Sequence, residues 1–240
     1  MISATGNTLA FPEKNRRNSI ITRLLSPAPD FAFCHRAAER RLQAEAFISE
    51  QFRLRHAAEI NEFFPHILGM LCFEKLSATA GLRPANHHEL FLEQYLDQSI
   101  EQLLSSQQDN CILRSEIAEI GNLACSQRGA SHLLFLIFSS VLHQAGYRWI
   151  VFTATRELRN SLNRLGFDFS YLAEASVEVL DKASQKKWGR YYTTQPQVIA
   201  GSLEDAMDII RTRPLFRRIH RIYRHKINYL SKELGDLCDE

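Results

Sequence analysis

A chain of 240 residues, 45% hydrophobic and 23% charged, is long enough for one well-buried core, and a formal net charge of +2 implies no nucleic-acid partner. The first twelve residues lack a basic segment followed by an apolar core of about 7–15 residues, and the longest strongly apolar stretch, 133–142, is far below the roughly 20 that a spanning helix needs. Five cysteines (Cys34, Cys72, Cys111, Cys125, Cys238), with no Cys-x-x-Cys pair, predict reduced thiols and a cytoplasmic setting.

Residues 1–29 are polar, carry Pro12, Pro27 and Pro29, and read as a loosely held tail. A strand is predicted over 31–35 and a helix over 37–55, a long run without Gly or Pro. After Pro65, residues 67–72 and 76–83 read as two strands joined by Glu74 and Lys75. Leu92, Leu96, Ile100, Leu103 and Leu104 share one face of a helix over 89–105. His87, His88 and Glu89 read as a solvated cap before it, and no stretch has metal-ligand spacing, so no metal is expected.

From Ile117 to Cys125 the chain is apolar on both alternating faces, as in a strand buried between layers. Ser126, Gln127, Arg128, Gly129, Ala130 and Ser131 interrupt it with polar and turn-forming types, and apolar residues then return at helical spacing to about Gly146. Unpaired N–H groups and the positive dipole end at such a helix start, with Arg128 beside them, favour an anion; a plain strand-to-helix connection is the competing reading. Residues 147–155 are aromatic and β-branched and read as the next strand, parallel to the first. Leu158, Leu162 and Leu165 then mark a short helix that turns Arg159, Asn160 and Asn163 to its other side or flanks. The runs 171–180 and 188–201 supply the last strands, the second at an edge because of Pro196, and Ser202 caps a helix over 202–212.

The unit from Glu116 to Phe169 resembles the second half of the GNAT acyltransferase superfamily, whose fourth strand, pyrophosphate loop, helix and fifth strand hold the pantetheine and phosphates of an acyl donor. More closely, GLRPA (81–85), LFLEQYLD (90–97), EIGNLA (119–124), WIVFTATRELRN (149–160) and WGRYY (188–192) together resemble the thermostable hemolysin family of bacteria. The resemblance implies an α/β (mixed α+β) fold. A GNAT-like mixed sheet flanked by helices spans 30–200, and 201–240 form a basic helical extension. It also implies acyl-CoA or acyl-acyl carrier protein as donor, a small amine or hydroxyl acceptor, and donor contacts from Leu123, Ala124, Cys125, Gln127, Arg128, Gly129, Ala130, Ser131, Thr155 and Asn160. Two departures matter. The phosphate loop usually reads Gln/Arg-x-x-Gly-x-Gly/Ala, and Ser126 stands at its first cation; the tyrosine that usually protonates the departing thiolate aligns with Leu162. The acyl-homoserine-lactone synthases share this fold and carry Glu-x-x-Arg on the equivalent strand, where this chain has Glu119-x-x-Asn122.

Acyl transfer needs a base for the acceptor's proton, a dipole for the oxyanion and a proton for the leaving thiolate. Glu119 is the candidate base: a carboxylate inside an apolar strand is costly unless paired or functional, and burial raises its pKa. Its alternative role is a structural partner of Arg36 or Arg83. Asn122 shares a site with Glu119 only if the strand is irregular, which Gly121 permits through a bulge. Arg36, Arg83, Glu93 and Tyr95 complete the candidate set. Arginine can hold an acceptor carboxylate bidentately, although Arg83 and Glu93 can equally pair with each other. Phe47, Phe52, Phe63, Phe64, Leu68 and Met70 either line a tunnel for a fatty chain or form plain core.

Between 211 and 226 lie six arginines and one lysine, with Ile219, Ile222, Tyr223, Ile227 and Leu230 at helical spacing behind Pro214. Three uses stay open: docking on its own domain or on a second copy, gripping an acidic partner such as acyl carrier protein, and lying on an anionic membrane. The last supports an alternative function, membrane damage through the C-terminus.

Overall fold

Alternating apolar strands and amphipathic helices satisfy their backbone groups by layering helices on one sheet. The structure, a computed structural model, describes residues 28–35, 39–87, 89–127 and 129–239. The expected tail (apart from its last two residues), Arg36 and Arg128 lie outside these. In chain order the described elements are β1 (Asp30–Phe33), α1 (Glu39–His56), β2 (His66–Cys72), β3 (Lys75–Pro84), α2 (Ile100–Gln108), β4 (Ile117–Cys125), α3 (Ala130–Gln144), β5 (Trp149–Ala154), α4 (Arg156–Arg164), β6 (Ser170–Glu174), α5 (Lys182–Lys187), β7 (Gln197–Ser202), α6 (Leu203–Thr212) and α7 (Pro214–Asp239). The strands form one seven-stranded sheet in the order β1-β2-β3-β4-β5-β7-β6. Only β4 and β5 run parallel; the other neighbours are antiparallel.

Strand alternation sends β4 side chains to two covered faces. Ala118 and Ile120 join the large core under α3, α6 and α7 with Leu134, Phe138 and Ile150. Ile117 faces the other way, into a smaller core with Leu92, Ile100, Leu104 and Val151. By the same alternation Glu119 lies on this second face.

Three predicted elements differ from the observed ones: of the strand over 171–180 only β6 forms, and Val177–Val179 is a 3₁₀ turn. The helix over 89–105 is broken into a 3₁₀ turn at Phe91–Tyr95 and α2. The Glu93 carboxylate sits at the break, where it accepts from the N–H groups of Leu90 (2.8 Å) and Ile100 (3.0 Å) and so caps both pieces. The run 188–201 is not an edge strand. Residues Tyr191–Thr194 form a 3₁₀ turn, and β7 begins only after Pro196, whose carbonyl accepts from Ala175 N–H at 3.0 Å. Proline therefore removes no ladder bond, and β7 pairs with β5 on one side and β6 on the other.

The C-terminal helix docks on its own domain. Phe216, Ile219, Tyr223, Ile227, Leu230 and Leu234 are buried in the large core. The Tyr223 ring meets Phe31 edge-on at 5.2 Å and its hydroxyl donates to the Pro29 carbonyl at 3.0 Å. Each such burial is worth about 1.5–3 kcal/mol.

Candidate active site

The site begins where two parallel strands part. β4 and β5 pair only through Ile117 with Trp149, Ala118 with Ile150 and Glu119 with Val151. Beyond them β4 follows β3 to Cys125, while β5 follows β7 to Ala154. Between Thr79↔Ala124 and Gly81↔Gly121, β4 holds one residue more than β3, a bulge that bends the strand. The left-handed residue is Asn122 (φ 46°), not Gly121, which stays in the ladder. Asn122 is held there by its own contacts: Oδ1 accepts from Phe64 N–H at 2.8 Å and its carbonyl accepts from the Thr79 hydroxyl at 3.2 Å. Glycine is needed at 121 for a different reason, because a Cβ there would lie 2.5 Å from the Phe64 ring.

A cavity of about 780 Å³ fills the gap. At one end, Gly129 (φ 84°) turns the chain into the first turn of α3, and Ser131 and His132 line the wall. Facing them, Thr155 caps α4 by accepting from Leu158 N–H, and Ser161 and Arg164 point to the same space. His132 Nε2 lies 2.6 Å from the Ser161 hydroxyl. Burial, then the Arg164 charge, holds the His132 pKa below its ordinary value, so the ring is neutral near pH 7. Of the predicted donor residues, Leu123, Ala124, Cys125, Gly129, Ser131 and Thr155 line the cavity. Ala130 is packed in the core, and Gln127 and Asn160 are exposed away from the cavity wall. Leu162, at the usual tyrosine position, is buried, while its neighbour Ser161 reaches the cavity.

At the other end lies Glu119, 2% exposed. Its carboxylate accepts from Phe91 N–H at 2.9 Å and Leu92 N–H at 3.0 Å, and the Arg83 guanidinium stands 3.9 Å away. Burial outweighs these three favourable partners and raises its pKa to about 7. The Arg83 guanidinium lies over the Phe64 ring at 4.6 Å and makes no hydrogen bond among the described residues. An aromatic wall stands beside them: Tyr95 and Tyr192 join hydroxyls at 2.5 Å, and Trp188 touches the rings of Phe91, Tyr191 and Tyr192. Burial and the Tyr192 contact raise the Tyr95 pKa. His56, packed edge-on against Tyr191, completes the wall, its pKa lowered chiefly by burial.

The structure thus brings Glu119, Asn122, Arg83 and Tyr95 to one cavity and leaves Glu93 outside it. Glu93 pairs not with Arg83 but with Arg114, in two contacts of 2.6 Å. Sequence reading misses His132, Ser161, Arg164, His56 and Trp188. Only the aromatic density of WGRYY signals one of them. Among the described residues no group of His, Cys, Asp and Glu could hold a metal ion.

A bulged fourth strand, a parallel neighbour diverging from it and a helix starting at the gap define a GNAT-like fold. The chain belongs to the thermostable hemolysin family, whose family description matches residues 34–207. Two solved structures similar to it are BjaI, a CoA-dependent acyl-homoserine lactone synthase solved with SAM and isopentyl-CoA, and TofI, solved with an inhibitor and MTA. BjaI is 15% identical and TofI 12%. The BjaI match covers 80% of this chain and 90% of that one, with a TM-score of 0.50. The TofI match covers 78% and 99%, also with a TM-score of 0.50. At these identities the likeness is one of fold. No curated protein matches the chain in sequence.

Proposed function

We propose that this chain is an acyltransferase that moves an acyl group from a pantetheine thioester, acyl-CoA or acyl-acyl carrier protein, to an amine or hydroxyl on a small molecule. The observation that carries the reading is the divergence of β4 from β5 immediately beyond Glu119, which leaves a buried carboxylate at the apex of a slot. The helix start at Gly129, with Ser131, Ser161 and Arg164 around it, fits the donor's phosphates. From there the slot runs along 122–125 toward Glu119.

At the apex, Glu119 takes the proton of the attacking amine or hydroxyl as the new bond to the acyl carbon forms. The carbon–sulfur bond then breaks, and the thiolate needs a proton. We assign that donor to the Tyr95–Tyr192 hydroxyl pair, which takes over from the usual tyrosine that Leu162 replaces. With a pKa near 7, Glu119 is present in useful amounts as the base at neutral pH. Its bonds to Phe91 and Leu92 fix the carboxylate, and Asn122 positions the bulge rather than touching the substrates. Arg83 would hold an anionic group of the acceptor, and the wall of Trp188 and Phe91 a flat or apolar part. We place the reaction in the cytoplasm, where such donors are made. Membrane damage by a released C-terminal arm is disfavoured, because the apolar face of α7 is already committed to the core.

The test is thiol release by the full chain from acyl-CoA and acyl-carrier-protein donors of graded length, with mass spectrometry of small molecules from cells with and without the protein. Acceptor-dependent release and a new acylated species are expected, and Ser161→Ala together with Arg164→Ala should raise the donor KM more than they change kcat. No thiol release with any donor, and no new species, overturns the proposal.

A further inference from the structure

The outward face of α7 plays no part in the cavity. From 211 to 226 there is no acidic residue. Arg211 is nevertheless paired, with Glu204 at 2.9 Å and Asp208 at 3.0 Å, as is Lys226, with Asp30 at 2.7 Å. Arg217, Arg218, Arg221 and Arg224 are exposed and have no carboxylate partner among the described residues. At about 100° per residue, Arg218, Arg221, His225 and Lys232 form a ridge opposite the buried row of Phe216, Tyr223 and Leu230. Along one flank, Leu215, Ile222 and Tyr229 are 37%, 52% and 60% exposed and recur every seventh residue, over about 21 Å.

We propose that this face docks on an anionic lipid surface, with α7 lying in the membrane plane while its buried row stays on the core. Charge complementarity selects the partner: Arg218, Arg221 and Lys232 on the ridge, with Arg217 and Arg224 on the flank away from Leu215, suit phosphate headgroups. The apolar flank distinguishes a lipid surface from an acidic protein, since three separated side chains along a straight helix can enter a headgroup layer together. No described helix is long and apolar enough to cross a membrane, so the contact is peripheral.

The experiment is flotation of the full chain with vesicles of phosphatidylcholine alone or mixed with phosphatidylglycerol. Binding is expected only to the mixed vesicles, falling as salt rises. At about 1 kcal/mol per basic residue, roughly fivefold each, Arg218→Gln, Arg221→Gln and Lys232→Gln together should weaken it by about 100-fold. Ile222→Ser and Tyr229→Ser should weaken what survives at high salt. Circular dichroism checks that the variants fold; if the triple variant does not, the salt titration of the unaltered chain reads the same charges. The proposal is overturned by equal binding to neutral vesicles, by no binding at low salt, or by dye leakage on binding, which would mean that α7 had left its core. Arginine-dependent capture of an acidic carrier protein with no vesicle binding also overturns it. Because the readout is flotation, it stands or fails apart from acyl transfer.

Discussion

Glu93 and Glu119 are two carboxylates with nearly the same backbone contacts and opposite chemistry. Each accepts two main-chain N–H groups, near 3 Å. Glu93 also meets the Arg114 fork at 2.6 Å. Burial pushes its pKa up, but Arg114 and the two N–H groups outweigh burial and hold it below the ordinary carboxylate value. Glu119 has its guanidinium at 3.9 Å, and there burial wins. The lesson is that, with main-chain bonds common to both, a carboxylate's depth and the closeness of its cation decide its protonation together: Glu119 is the deeper and has the more distant guanidinium. A buried carboxylate denied a close cation beside a cavity is the one left able to exchange a proton.

The opposite shifts give opposite pH slopes. Folded Glu119 holds its proton more tightly than the unfolded chain does, so its contribution to stability is fully present below pH 4.5 and is lost as pH rises toward about 7. Glu93 contributes stability above its ordinary value that is lost as pH falls through its lowered one.

The largest expected effect breaks the comparison at its reactive end. Glu119→Gln should cost about 10²–10⁴-fold in thiol release and abolish a rising limb of the rate with midpoint near pH 7. A variant that keeps the limb would show that another group is the base. Next, Arg114→Ala strands Glu93 and Glu101 without their cation and should lower stability by about 2–4 kcal/mol in a denaturant titration. Turnover per folded molecule should fall far less than in Glu119→Gln, because Arg114 reaches the cavity only through the turn that carries Phe91 and Tyr95. A smaller effect, about 1–3 kcal/mol, is expected of Gly121→Ala, whose Cβ would drive the Phe64 ring away. Coupling to Phe64→Leu in a double-mutant cycle checks that cause. The smallest belongs to Asn122→Gly, which relieves a positive φ but loses the bond to Phe64 N–H, a net cost of about 1 kcal/mol in the same titration.

What sequence makes legible here is local. The segment from β4 to α4 reads correctly because buried strands and an apolar helix write their period into neighbouring residues. The break between Phe91–Tyr95 and α2 is hidden because Glu93 and Arg114, distant along the chain, create it together. The interior position of β7 is hidden because Pro196 is read as a strand residue when it precedes the strand. Glu119 stands out as one charge among apolar neighbours. His132 and Ser161 carry no such contrast, and Trp188 only the aromatic density around it, since their meaning comes from segments that fold back to meet them.

One join in the cavity wall is thin. The end of α1 and the segment after α5 meet through Arg190 N–H on the His56 carbonyl and Glu59 N–H on the Lys187 carbonyl, each at 2.7 Å, and Gly189 lets the backbones touch. Beside those bonds the rings of Phe52 and His56 pack on Trp188 and Tyr191, but among the described residues no strand pairing crosses the seam. The amides of Glu59 and Arg190 should therefore trade their hydrogens for deuterium well before those of β4.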